Sequence, residues 1–372
     1  TYREPGSDIE RTLTTLFEEI LGVERVGLDD SFFALGGDSI MSIQLVSRAK
    51  SRGLLFRPRD VFEARTIARL ADSAVWSSPE DVVVLAEIEG GGIGTMPTTP
   101  IVEAMLERGA DHSRFTQSTA LELPLGIDRS GIVATISAVV EHHDMLRARL
   151  SPGGGKQGIE VSPRGSVDID ALVRRIDIDA QADDDAVAAA GSKGLDDALA
   201  ALAPEDGIVL QFLWLDFGPD RKGRIFVIAH HLVIDGVSWR ILIPDFVTAW
   251  AQYSSGTPIE LAPVGTSMRT WAHALYAEAN SAGRSAELNH WSHVLDVPDP
   301  LLGTRPMDSA RDRRSTMKSL SVSFSVDVTD GILTQVPRVI RGGVNDALLT
   351  ALAMAVTRWR RCDLYDEFGY DC

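Results

Sequence analysis

From Ile9 onward the apolar residues Leu13, Leu16, Phe17 and Ile20 recur every three or four positions, the spacing of one helical face. Ser7 and Glu10 stand three apart just ahead of that run, a capping-box pair that starts a helix. A loop with apolar anchors follows from Val26 to Phe33. Then comes Leu35-Gly36-Gly37-Asp38-Ser39-Ile40, in which two glycines precede a second helix start. That helix is expected to turn Ile43, Val46 and Ala49 inward and to stop near Gly53, a residue suited to a left-handed cap. Phe62, Ile67 and Leu70 mark a short third helix and a fourth, so residues 1–75 read as a small all-α, four-helix unit.

The texture changes at Trp76. Ser77-Ser78-Pro79, the apolar run Val82 to Leu85, and Gly90-Gly91-Gly92 with Gly94 read as a linker over residues 76–96. It has room for one edge strand, and its glycines should let the first unit swing. From residue 97 strands and helices mix. Thr119 to Leu123 is a strand, and a helix from about Ser130 carries Ile132, Val133, Ile136, Val139 and Val140 on its apolar face. Asp183-Asp184-Asp185 reads as the acidic first turn of a helix. The run Ile208 to Trp214 is a buried strand that Gly218-Pro219-Asp220 and Lys222-Gly223 turn into a second one, Ile225 to Ala229, as a hairpin. Leu242, Ile243, Phe246, Val247 and Trp250 continue a helix headed by Trp239, in which Pro244 fits only the first turn or a kink. Thr266-Ser267 can cap the next helix, where Trp271, Ala272, Leu275 and Tyr276 pack. Leu320 to Val328 alternates as a strand, and Val344 opens a helix.

Composition narrows the function classes. A chain of 372 residues with 44% hydrophobic content holds two or three globular domains. Its net charge of -17 argues against nucleic acid or anionic membrane as a partner. No basic apolar leader opens it and no run reaches the ~18 apolar residues of a membrane span, so a cytoplasmic location is expected. Cys362 and Cys372 are too few for a disulfide framework or a metal site. The chain opens at Thr1 without methionine, which marks it as a piece of something longer.

Two stretches carry chemistry. His230-His231 closes the strand Ile225 to Ala229, and neighbouring residues at a strand end project to opposite faces, so one imidazole can face a cleft while the other faces the core. Asp235-Gly236 then supplies turn chemistry, with Gly236 free to take a positive φ. Ser39 is the second. A serine at a helix N-terminus exposes its hydroxyl, and a phosphodiester attached there would be stabilised by free amides and the positive end of the helix dipole. A Gly-Asp-Ser hydrolase would need a histidine base supported by an aspartate three residues earlier, and none of the eight histidines has one. A second pair, His142-His143, ends a helix and gains from its dipole without chemistry. His273, His290 and His293 lie on helical segments without a partner at catalytic spacing.

The words themselves resemble known ones. Asp29-Asp30-Ser31-Phe32-Phe33 and Leu35-Gly36-Gly37-Asp38-Ser39 resemble peptidyl carrier proteins, whose serine receives 4'-phosphopantetheine from a phosphopantetheinyl transferase. His230 to Gly236 resembles the His-His-x-x-x-Asp-Gly core of the condensation superfamily of non-ribosomal peptide synthetases. Val237-Ser238-Trp239, Phe115-Thr116-Gln117-Ser118 and the opening Thr99-Pro100-Ile101 are similar to its epimerization branch, as is Val344 to Leu349, while Met145 to Leu150 looks like a structural word of the superfamily. The resemblance implies 4'-phosphopantetheine on Ser39, flanked by Asp38, and His231 as the catalytic residue that moves a proton at the α-carbon of a thioester. It also implies supporting parts for His230, for Asp235 as a buried brace, and for Gly236, near which backbone amides would meet charge growing on the thioester oxygen. The fold implied is a four-helix carrier followed, over residues 97–372, by an α+β, chloramphenicol-acetyltransferase-like N-terminal lobe of an epimerization domain.

That lobe is expected to be truncated. The family's next word holds a glutamate facing the histidine, and the context of Glu367 does not match it. Three readings follow: an isomerase converting a Ser39-bound residue from L to D, a condensation-type transferase forming a peptide bond, and a carrier whose following lobe is inactive. The partners implied are an upstream adenylation domain, a downstream condensation domain and the thioester-bound amino acid or peptide.

Overall fold

Helix α1 (Asp8–Leu21) begins with Ser7 Oγ accepting from the Glu10 amide while the Glu10 carboxylate accepts from the Ser7 amide, both halves of the expected capping box. It ends on Gly22 at φ 67°. After it come α2 (Ser39–Ser51), β1 (Leu54–Leu55), α3 (Pro58–Ala64), α4 (Ile67–Ala71) and β2 (Val75–Trp76), with β1 and β2 paired antiparallel. Leu13, Leu16, Phe17, Phe32, Leu45 and Ile67 are completely buried between these elements, each burial stabilising by about 1.5–3 kcal/mol. The inner face of α2 differs from expectation. Ser42, Leu45 and Ala49 point inward, whereas Ile43 is half exposed, because steps of three and four residues from Ala49 lead back to Leu45 and Ser42 and leave Ile43 on the flank.

The computed structural model describes residues 2–77, 85–107, 112–151, 158–179, 181–296, 301–303, 305–308, 310–340 and 342–367. It divides into two compact units, Thr1–Ala279 and Asn280–Cys372. In the first unit the helical part is followed by β3 (Gly94–Pro97), α5 (Pro100–Glu107), β4 (Thr116–Glu122), α6 (Arg129–His142), β5 (Ala148–Ser151) and β6 (Gly158–Val161). Then come α7 (Ile169–Leu172), β7 (Val173–Asp177), α8 (Asp184–Ala200), β8 (Leu210–Asp216), β9 (Arg224–His230), α9 (Trp239–Ser254) and α10 (Met268–Ala279). The acidic triplet opens α8 as expected, with Asp183 as N-cap.

The main sheet has strand order β4-β9-β8-β7, antiparallel except for the parallel pair β7 and β8. Alternation along β8 and β9 splits its side chains between two cores. Phe212, Trp214, Ile225, Val227 and Ala229 pack with α6 and α9, while Leu213, Leu215 and Ile228 pack with Ala198 and Leu202 at the end of α8. A smaller antiparallel sheet, β3-β6-β5, packs with Val102 and Ala272. Trp271 and Tyr276 on α10 stay about half exposed, so that helix packs on a narrower face than its apolar pattern implied.

Where α6 ends, Arg147 is almost wholly buried, and it donates to the carbonyls of Val140, Glu141 and Ser162 and to the Asp144 carboxylate. The helix's last carbonyls and the buried charge satisfy each other.

The glycine-rich stretch is tied to helix α10 by hydrogen bonds. Glu87 accepts from the Ser267 amide and from the Ser267 and Thr270 hydroxyls, and Arg269 donates to the carbonyls of Glu89, Gly91 and Thr95. Residues 85–97 are thus strapped to α10, and the glycines serve the close approach of that strap. Most of the apolar run Val82 to Leu85, expected to allow an edge strand, lies outside the described residues.

The second unit contains α11 (Ala282–Ala286), α12 (Leu288–Leu295), α13 (Val326–Asp330), α14 (Val336–Ile340) and α15 (Val344–Glu367). The strand expected over Leu320 to Val328 is not formed: residues 317–325 hold no regular element and α13 begins at Val326. Alternation alone does not make a strand, which needs a neighbouring edge for its hydrogen bonds. Leu320, Val322 and Phe324 remain exposed.

Candidate active site

His230 and His231 close β9 and part company there. His230 is fully buried, and its Nδ1 accepts the Leu232 amide at 3.0 Å. Its proton must then sit on Nε2, which donates to the His112 carbonyl at 2.8 Å. Burial pushes this imidazole below its ordinary range, only partly offset by the His112 carbonyl, and keeps it neutral. His231 instead faces an open cleft of about 930 Å³. Its amide donates to the Phe115 carbonyl at 2.8 Å and its ring stacks on Phe115 with centroids 4.6 Å apart and 14° between planes. Gln117 lies beyond, its Nε2 at 3.0 Å from His231 Nε2, while Gln117 Oε1 accepts the Trp239 indole N–H at 2.8 Å. Register places these groups, since β4 pairs Thr116 with His230.

Asp235 bonds its own turn but is not buried. It is exposed, and its Oδ1 accepts from the Val237 amide, the Ser238 amide and the Ser238 hydroxyl, while its own amide donates to Ser238 Oγ. Partial desolvation pushes this carboxyl up, but the bonds from Ser238 and Val237 outweigh it and hold the group below the usual carboxylate range. Those same bonds use the two amides that follow Gly236, so they are not free to meet charge on a substrate oxygen. Gly236 also departs from expectation. Its φ is not positive, and a Cβ there would meet nothing within 4 Å.

The second histidine pair ties elements together. His142 Nε2 bonds the Ala262 carbonyl at 2.8 Å, and His143 Nε2 lies 2.7 Å from Asp245 Oδ2, linking the end of α6 to α9. Burial lowers His143, with Asp245 only partly offsetting it. His143 and Asp144 nevertheless line the same cleft as His231 and Asp235, as do Lys50 of α2 and Trp271 of α10.

Ser39 is the first residue of α2. The turn before it depends on both glycines: Gly36 has φ 99°, and a Cβ on Gly37 would fall 2.4 Å from the Phe32 ring and 2.6 Å from its carbonyl oxygen. Asp38 caps the helix, its Oδ1 accepting from the Ile40 and Met41 amides. Two of the amides expected to be free for a phosphodiester, those of Ile40 and Met41, are therefore taken. The positive charge beside the helix start comes from elsewhere in the chain: the Arg240 guanidinium, on the first turn of α9, lies 2.6 Å from Asp38 Oδ2. The Met41 amide and then Arg240 outweigh desolvation and hold the Asp38 carboxyl low. The site suits a phosphopantetheine arm: a serine at the start of a 13-residue helix, a glycine turn behind it and a cation nearby.

Arg240 and the Gln117–Trp239 bond were not singled out as functional in the sequence. The words containing Gln117 and Trp239 stood out, and their convergence on one imidazole is what the fold adds.

A condensation domain family model matches residues 104–364 and a phosphopantetheine attachment site model matches residues 11–73. Among curated proteins, a linear gramicidin synthase from Brevibacillus parabrevis is 33% identical over 96% of this chain. Gramicidin S synthase 1 of Brevibacillus brevis is 29% identical over 97% of it. The chain spans 7% of the first relative's length and 32% of the second's. Among solved structures, the epimerization domain from the third module of tyrocidine synthetase B is similar with a TM-score of 0.60 and 26% identity, over 73% of this chain and 61% of that one. Among the described residues no helix is long and apolar enough to cross a membrane.

Proposed function

The chain belongs to the condensation domain family of non-ribosomal peptide synthetases, with a phosphopantetheine-bearing carrier ahead of that domain, and from that premise we propose that it holds an aminoacyl or peptidyl thioester on Ser39 and epimerizes its α-carbon at His231. Residues 1–75 are the carrier in this reading, and the chain from residue 97 contributes to the epimerization domain. When attached, phosphopantetheine supplies the thiol that holds the acyl group, and the thioester carbonyl makes the α-proton acidic. A phosphopantetheinyl transferase loads the carrier, an upstream adenylation domain supplies the amino acid and a downstream condensation domain takes the product.

The observation that carries this reading is the setting of His231. It stands on the cleft between Phe115 and Gln117, with Trp239 fastened to Gln117, so the two words similar to the epimerization branch meet at this cleft-facing imidazole. A positioned imidazole of this kind moves a proton to or from carbon. His230, neutral and locked, holds the strand end. Asp235 holds the turn. Inversion requires a second group on the opposite face of the α-carbon, and Arg240 beside the helix start of Ser39 brings the carrier's attachment point against the lobe that bears His231.

The test is stereochemical. Ser39 is loaded with an L-aminoacyl-phosphopantetheine in a protein that contains this chain and completes the epimerization fold. The amino acid is then released and resolved by chiral chromatography. A mixture of D and L forms is expected, and L alone after His231→Ala. Formation of a peptide bond with retention of L in the donor would move the reading to condensation.

A further inference from the structure

Trp239 determines how Gln117 is turned. An indole N–H donates and never accepts, so the Gln117 atom 2.8 Å from Trp239 Nε1 is the carbonyl oxygen, and the amide NH₂ is the group 3.0 Å from His231 Nε2. An NH₂ group donates only. The geometry points to Gln117 as a positioning residue that, oriented by Trp239, holds His231 with its proton on Nδ1 and its lone pair on Nε2.

The neighbouring histidine is fixed the other way, with its proton on Nε2. Two adjacent imidazoles therefore carry opposite tautomers, each dictated by its own partners. The consequence for His231 concerns the charged form. Protonating Nε2 sets N–H against NH₂. To accept from it Gln117 must turn over, which sets its NH₂ against the Trp239 N–H instead. Either way one hydrogen bond is lost. The charged and titratable groups that also bear on His231 are Asp235 and His230 on its own turn, His143 and Asp144 at the end of α6, and Lys50 of α2. None of them accounts for a tautomer. The inference rests on the reading of His231 as the proton-transferring residue, but its first test does not need activity.

The protein is labelled with ¹⁵N-histidine, the His231 signals are assigned by their loss in His231→Ala, and the ring nitrogens are read by long-range ¹⁵N–¹H correlation at neutral pH. Nε2 should resonate as a bare, pyridine-like nitrogen and Nδ1 as a protonated one. Trp239→Phe keeps the packing and frees Gln117 to turn, so His231 should shift toward a mixture of tautomers. Gln117→Met, which offers neither donor nor acceptor, should release the tautomer in the same way. A protonated Nε2 in the wild type, or Trp239→Phe with unchanged tautomer, overturns the inference. If the tautomer is as stated while His231→Ala leaves exchange intact, it is the catalytic reading that falls.

Discussion

Arg240 and Asp38 are 202 residues apart in sequence and 2.6 Å apart in space. One sits on the first turn of α9, just past the turn that follows His231, and the other caps the helix that starts at Ser39. Both side chains are a third or more exposed, so the pair contributes little to stability, at most about 1 kcal/mol. Its effect should appear in delivery instead. Arg240→Glu is expected to slow epimerization of a residue tethered to Ser39 and to leave untouched the turnover of the same aminoacyl group on a small free thiol. Equal loss with both substrates would place Arg240 in the chemistry of the cleft.

Gly37→Ala should destabilise the carrier. A Cβ there meets the Phe32 ring at 2.4 Å and the Phe32 carbonyl at 2.6 Å, and the carbonyl belongs to a backbone that cannot step aside cheaply. A cost of about 1–3 kcal/mol is expected for such overpacking, seen as an earlier denaturant midpoint, together with slower phosphopantetheinylation by intact mass. Full stability and full modification would show that the turn before Ser39 is looser than its packing implies.

Acid should weaken the first unit before its carboxylates titrate. His230 and His143 are both held below the ordinary value of 6.5, mainly by burial. The unfolded chain therefore binds protons near that value that the folded chain refuses. Unfolding is favoured as pH falls through about 6.5 and onward to the lower folded values. The melting temperature should fall between pH 7.5 and 5.5, and the fall should flatten in His143→Gln. A flat profile in the wild type would mean that neither imidazole is kept neutral.

Asp235→Ala should remove the acceptor of three hydrogen bonds and cost roughly 1–2 kcal/mol, the size of a lost capping side chain. Asp235→Asn keeps an oxygen in the same place and should recover most of that stability in a thermal melt. An Asn variant as unstable as Ala would show that the negative charge, rather than the turn geometry, is what the site uses.

Local pattern made much of this readable in advance. The capping box of Ser7 and Glu10, the acidic start of α8 and the hairpin into β9 are all decided within a few residues, and so is the divergence of His230 from His231 at a strand end. Contacts across the fold were not readable. Gln117 and Trp239 are 122 residues apart, and only the pairing of β4 with β9 brings them to the same imidazole. Arg240 carries no signal in the local pattern, because its carboxylate partner lies 202 residues away. Leu320 to Val328 failed for a related reason: its period was that of a strand, but a strand is defined by its neighbour. At the glycines of residues 90–94 composition reports freedom of the backbone and not the hydrogen bonds that Arg269 and Glu87 make along that stretch.

The central claim is that His231 moves the α-proton of a residue held on Ser39, and isotope exchange measures that step without waiting for inversion. Ser39 is loaded with an L-aminoacyl-phosphopantetheine in deuterated water, in a protein that contains this chain and completes the epimerization fold, and the released amino acid is weighed by mass spectrometry. Deuterium should enter at the α-carbon in the wild type and not in His231→Ala, with His230→Asn intermediate through loss of the strand end. Deuterium uptake unchanged in a folded His231→Ala variant would contradict the account.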